Sequence, residues 1–85
     1  MGKYTAFLSK RAQKQLDKLP DKVANRIITA ISDLELDLRP EGSKKLRGRD
    51  GYRVRRGKYR NIYEIFDDQH IVDVIALGHR MDIYD

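Results

Sequence analysis

Cysteine is absent from the sequence. That excludes a disulfide framework and any thiolate metal site, and it suits a reducing cytoplasm. Histidine occurs only as His70 and His79. Two imidazoles on a strand pattern, among scattered carboxylates, do not converge on a metal, so no metal is expected. The glycines at 48, 51 and 57 fall at turns and form no glycine-rich phosphate loop, and no cofactor is expected. No Ser–His–Asp constellation can be argued. No apolar run approaches the roughly 20 residues needed to span a bilayer. Met1-Gly2-Lys3 leads straight into a short mixed segment and not into a signal peptide. There is no internal repeat and no low-complexity tract. The expectation is one small domain over residues 1–85, with a single modest core, no membrane partner and a cytoplasmic location.

Acidic residues are scarce in one place. Between Lys44 and Arg60 stand 9 of the 18 basic residues and a single acid, Asp50. The bases are Lys44, Lys45, Arg47, Arg49, Arg53, Arg55, Arg56, Lys58 and Arg60. The 25 residues that follow carry one base, Arg80, and six acids. The net charge of +5 is therefore local. Such a concentration marks a site for a polyanion. A solvated sheet face with a basic loop for solubility is the plainer reading, but solubility does not require nine bases against one acid.

The basic run has a period of two. Tyr52, Val54 and Arg56 alternate with Arg53 and Arg55, Gly57-Lys58 suits a tight turn, and Tyr59, Asn61, Tyr63 and Ile65 alternate with Arg60, Ile62, Glu64 and Phe66. This predicts a β-hairpin. If Tyr52, Val54, Tyr63 and Ile65 face a core, Arg53, Arg55 and Arg60 share the opposite face. Mutual repulsion among guanidinium groups there is a cost that an anionic ligand offsets. Asn61 is the odd residue on the core side.

Upstream, Tyr4 to Leu8 reads as a short strand, and Ser9 as the N-cap of a helix with Ala12, Leu16 and Leu19 on its apolar side. Pro20 ends that helix and opens a second, with Asp21 at its positive end. Val23, Ile27, Ala30, Ile31, Leu34 and Leu38 form a stripe of period 3.6, which marks core, and the helix should stop near Arg39, before Pro40. The near absence of a linker makes a helical hairpin. Glu41-Gly42-Ser43 reads as a loop, Asp67-Asp68-Gln69 as a turn, and Ile71 to Leu77 as a central strand. The fold class is α+β in the order β-α-α-β-β-β: an N-terminal strand, a helical hairpin and a three-stranded antiparallel meander, with both helices on one face of a single sheet and the arginine face open.

Arginine, tyrosine and histidine around a phosphate suit RNA cleavage. The 2′-hydroxyl must be aligned, the growing charge stabilised, and a proton delivered to the leaving oxygen. Arginine forks supply the first two. For the proton, Tyr84 has a reference pKa of about 10 and His79 one of about 6.5. A tyrosine so near the C-terminus is, on base rates, a surface or packing residue, and His70, beside a turn, reads as merely exposed.

The pattern KKLRG…YRVRRGKYRNIYEI…VIALGHRMDIY, preceded by FLSKRAQKQLDKLP and a long amphipathic helix, resembles the RelE branch of the RelE/ParE toxin superfamily of prokaryotic toxin–antitoxin systems. The resemblance spans nearly the whole chain. It implies a small α+β domain that cuts mRNA in the ribosomal decoding site, without metal, through the substrate's own 2′-hydroxyl, and that is neutralised by a cognate acidic antitoxin in a hetero-oligomer. It places the family's two strand lysines at Arg53 and Arg55, its strand arginine at Arg60, its arginine after the last strand at Arg80 and its C-terminal tyrosine at Tyr84. Lys45 and Arg47 match the basic loop that meets RNA, and Lys44, Arg49, Arg56 and Lys58 extend the expected RNA contact. Three departures stand out. Arginines replace the two lysines, keeping charge but not basicity. The tyrosine comes four residues after Arg80, a short spacing. The chain stops at Asp85, without the C-terminal helix of some members. The same fold also admits a ParE-like inhibitor of DNA gyrase that cuts nothing, and an inactive RNA- or antitoxin-binding module.

Overall fold

The computed structural model describes residues 3–48 and 50–79. Five strands form one sheet in the order β1-β5-β4-β3-β2. They are β1 (Thr5–Leu8), β2 (Ser43–Lys45), β3 (Tyr52–Arg56), β4 (Tyr59–Phe66) and β5 (Ile71–His79). Two helices, α1 (Lys10–Asp17) and α2 (Asp21–Leu34), lie between β1 and β2 in sequence. β1 runs parallel to β5, and the remaining pairs are antiparallel. The architecture is α+β, with both helices packed on one face.

The core follows from the two periodicities. Ala12 and Leu16 of α1 and Ile27, Ile31 and Leu34 of α2 meet Val54, Tyr63, Val72, Val74 and Leu77 of the sheet. The expected meander is present as β3–β4–β5, and it gains a fourth strand. Ser43 was expected to end a loop and Lys44 and Lys45 to open the basic segment, but Ser43–Lys45 pairs antiparallel with β3, Lys44 opposite Arg53. α2 also ends earlier than expected, at Leu34 and not near Arg39. Leu38 still packs on the core, but from a turn. The amides of Leu36 and Asp37 bond to the Asp33 carbonyl, at 3.1 and 3.0 Å. The freed Glu35 carboxylate accepts from the Ala6 amide on β1 at 2.7 Å.

One irregularity decides which way the end of β5 faces. Between Ile62/Tyr63 of β4 and the facing stretch of β5 the register shifts: Tyr63 opposes Val74, but Ile62 opposes Ala76. Ile75 is the extra residue of a β-bulge. Ser9 secures it. Its hydroxyl accepts from the Ala12 amide at 3.0 Å, capping α1, and donates to the Ile75 carbonyl at 2.7 Å. One side chain thus ties the start of α1 to the bulge. Gln15 of α1 adds a second tie, its Oε1 accepting from the Leu77 amide at 2.8 Å.

Tyr63 anchors the centre of the core. It is fully buried, stacks on Tyr52 at 5.8 Å and donates its hydroxyl proton to the Leu38 carbonyl at 2.8 Å. Burial pushes its hydroxyl up to about 12. The unfolded chain ionises near pH 10. Between the two values the unfolded state releases a proton that the folded state holds, so stability falls as pH rises through that window. Urea melts at pH 9 and 11.5 should show this loss, and Tyr63→Phe should shrink it while costing about 0.5–1.5 kcal/mol at neutral pH for the lost hydrogen bond.

Candidate nucleic-acid interface

The β3–β4 hairpin sets the site. Arg56 pairs with Tyr59 across the two-residue turn Gly57-Lys58, and Gly57 has φ +61°. A positive φ at the first central residue is what a II′ turn requires, and glycine adopts it without strain. From this turn the register runs on without slip: Arg55 opposes Arg60, Val54 opposes Asn61, Arg53 opposes Ile62 and Tyr52 opposes Tyr63. Directly opposed residues share a face. Arg53, Arg55 and Arg60 therefore lie together on the face away from the helices, and Lys44 of β2 joins them opposite Arg53. Arg60 opposes Gly78 on the far side, and Gly78 is buried. Like charges directly opposed, as Arg55 and Arg60 are, destabilise a sheet unless an anion bridges them.

That face is not wholly open. Leu46, Ile62 and Ala76 form a second buried cluster in its middle. Leu46 folds back over the sheet from the basic loop, its amide bonded to the Gly51 carbonyl at 3.0 Å. Gly51 has φ +155°, and a Cβ there would lie 3.2 Å from the Tyr63 carbonyl oxygen and 3.3 Å from Leu46 Cδ1. Only glycine lets the loop close so tightly, and the closure holds Arg47 exposed beside the face. Beyond this plug the face changes sign. Glu64 opposes Asp73, which opposes Phe7, and Phe7 and Phe66 are exposed. Bases thus occupy one half of the face, and acids with apolar rings the other.

The pleat takes three expected contacts away from this face. Lys45 opposes Tyr52 on the helix side, with its Nζ 6.0 Å from the Tyr52 ring. Arg56 lies on the helix side opposite Tyr59, and Lys58 sits in the turn, where both line a groove against α2. His79 is also on the helix side. It opposes Tyr59 and meets that ring edge-on at 5.5 Å, beside Gln15, Lys18 and Leu19 of the α1 region. The bulge is the reason. Val72 and Val74 face the helices before it, whereas Leu77 and His79 do so after it, leaving Ala76 and Gly78 for the arginine face. His70 is remote, against Tyr4 at 5.0 Å. Arg49, Arg80 and Tyr84 lie outside the described residues.

Sequence reasoning missed the contacts of Arg39. Its Nε donates to the Tyr52 hydroxyl at 3.1 Å and its guanidinium lies 5.0 Å from the Tyr52 ring centre. The hydrogen bond to Tyr52 raises the Arg39 pKa. Its position beside Pro40 disguised it as a helix terminus. Asn61 is buried on the helix side, and nothing among the described residues accounts for its orphaned Oδ1.

Residues 6–84 match the family model of the ParE toxin of type II toxin–antitoxin systems (parDE). The chain belongs to this family, within the RelE/ParE toxin superfamily. It is 32% identical over 83 residues to Toxin RelG of Mycobacterium tuberculosis H37Rv, covering 95% of each chain. Among solved structures it superposes on a chain of the M. tuberculosis RelBE2 toxin–antitoxin complex with a TM-score of 0.82 at 28% identity, covering 92% of this toxin and 99% of that chain. The archaeal RelE–RelB complex of Pyrococcus horikoshii gives 0.78 at 28%, covering 94% and 97%. Among the described residues no helix of this toxin is long and apolar enough to cross a membrane.

A phosphate-binding face has a measurable signature. Single-stranded RNA affinity should fall with salt, and Arg55→Ala should lower the log–log slope by about 0.7 for the one contact removed. Filter binding across a salt series reads this directly. An unchanged slope would place the RNA elsewhere.

Proposed function

We propose that this toxin is a ribosome-dependent mRNA endonuclease of the cytoplasm, held inactive by an acidic antitoxin. The observation that carries the reading is the convergence of Lys44, Arg53, Arg55 and Arg60 on the sheet face away from the two helices. On this reading the mRNA backbone lies along that face in the decoding site, in contact with ribosomal RNA as well. The 2′-hydroxyl attacks the neighbouring phosphorus. Its proton passes to solvent water, the bond to the 5′-oxygen breaks, that oxygen takes a proton from Tyr84, and a 2′,3′-cyclic phosphate remains. Charge builds on the non-bridging oxygens, where arginine forks bind best and no protein base is needed for stabilisation.

Arginine cannot deliver the proton, because its pKa exceeds about 12. Both histidines lie away from the arginine face. We therefore assign proton delivery to Tyr84 and a second phosphate contact to Arg80, as the resemblance implies. A cell carrying such a face free would suffer non-specific binding to nucleic acid, which gives the antitoxin its physical role. Several of the solved neighbours are toxin–antitoxin complexes.

The ParE name of the matching family model favours a second reading, a gyrase inhibitor with the same fold and no cleavage. The test separates the two. In single-turnover assays on programmed ribosomes, the unaltered toxin should give discrete cuts within codons. Arg60→Ala should slow cleavage about 100- to 1000-fold, the usual effect of losing one preorganised donor. Intact mRNA with damaged chromosomes after expression would replace the nuclease reading with the gyrase one.

A further inference from the structure

The sheet face away from the helices carries two like-charge pairs of opposite sign. Arg55 opposes Arg60 in one half, and Glu64 opposes Asp73 in the other. Like charges directly opposed cost a sheet stability unless something of the other sign meets them. Along β4 the side chains on this face run Arg60, Ile62, Glu64 and Phe66: base, carbon, acid and ring. Phe7 and Phe66 flank the acids and are 52% and 43% exposed. Leu46, Ile62 and Ala76 lie between the halves and carry no charge. One face thus holds both members of a complementary pair of surfaces.

We propose that this face pairs with the same face of a second copy of the chain, in a two-fold dimer that covers the arginines. In such a dimer the basic half of each copy lies over the acidic half of the other. The layout of the face favours a second copy over any other cationic partner. Two copies related by an axis along the boundary between the halves bring base over acid twice, since a two-fold contact is always made in duplicate. Groups on that axis meet their own image, and there the face offers carbon and not charge. Phe7 and Phe66 then lie beneath guanidinium groups of the other copy, where an aromatic face attracts a cation. The dimer occupies the cations that an anionic ligand would use, so ligand and second copy exclude each other. This inference goes beyond the function proposed above and does not depend on it.

The test is sedimentation equilibrium of the purified toxin over a concentration series, at low and at high salt. The expected result is a mass that rises from one chain to two, with a dimer that weakens as salt screens its ion pairs. Two charge reversals make the test specific. Arg55→Glu puts an acid in the basic half, and Glu64→Arg puts a base in the acidic half. Each alone should weaken self-association about 100-fold, because the reversal acts at two symmetric contacts of about tenfold each. Mixed one to one, the two variants should recover pairing, since one contact then carries both reversals and the other carries neither. Should a reversal unfold the chain, Phe7→Ala, at an exposed ring, takes its place and should weaken the dimer severalfold. A mass of one chain at every concentration overturns the proposal, and so do folded variants that pair as tightly as the unaltered chain. A mixture of folded variants that stays monomeric overturns it too. A monomer that instead binds an oligo-arginine peptide through Glu64 assigns the acidic half to a cationic partner of another kind, and the RNA reading stands in every case.

Discussion

The account depends on the register of the β3–β4 hairpin. Gly57 and Lys58 close it in two residues, and the closure fixes every opposed pair from Arg56–Tyr59 to Tyr52–Tyr63. A slip of one residue would turn every side chain of a strand to the other face. Arg53 and Arg55 would enter the core, and Val54 would meet solvent. Val54 and Tyr63 are almost fully excluded from water, at 1% and 0% exposure, so the hydrophobic cost of the wrong register is large. Burying one such side chain is worth about 1.5–3 kcal/mol. Burial on one face therefore holds the cations in place on the other.

The bulge at Ile75 is the second device. It inverts the phase of β5 partway along, so that Leu77 and not Ala76 completes the core. It also sets a glycine, not a side chain, beside Arg60 and turns His79 toward Tyr59. Ser9 and Gln15 satisfy backbone groups around the bulge, coupling α1 to the far end of the arginine face. The helical hairpin does more than cover the sheet. It stabilises the irregularity that turns Ala76 and Gly78 to that face.

The hairpin was legible in the sequence because Tyr52, Val54, Tyr63 and Ile65 alternate with charge on both sides of a turn glycine. α1 and its Ser9 cap were legible for the same kind of reason. The end of α2 was not, because Leu38 continues the helical stripe while the chain has already turned. β2 was hidden by its length of three residues and its two lysines, which carry no apolar alternation. The destination of His79 was illegible because a bulge leaves no mark on composition and reverses the parity of everything after it. By the same parity, nine bases in one run resemble a single patch, although the sheet divides those on β2 and β3 between two faces. Leu46 was unreadable among cations, where a lone apolar residue gives no period.

The central claim is that one face of the basic run, carrying Lys44, Arg53, Arg55 and Arg60, binds RNA and the other does not. The most direct measurement is an NMR titration of the toxin with a short single-stranded RNA that carries a 2′-deoxy substitution at the cleavage position. The account predicts shifts at Lys44, Arg53, Arg55, Arg60 and Gly78, with Arg26, Arg56 and Lys58 unmoved. Shifts centred on the α2 groove, with Arg53, Arg55 and Arg60 silent, would contradict it.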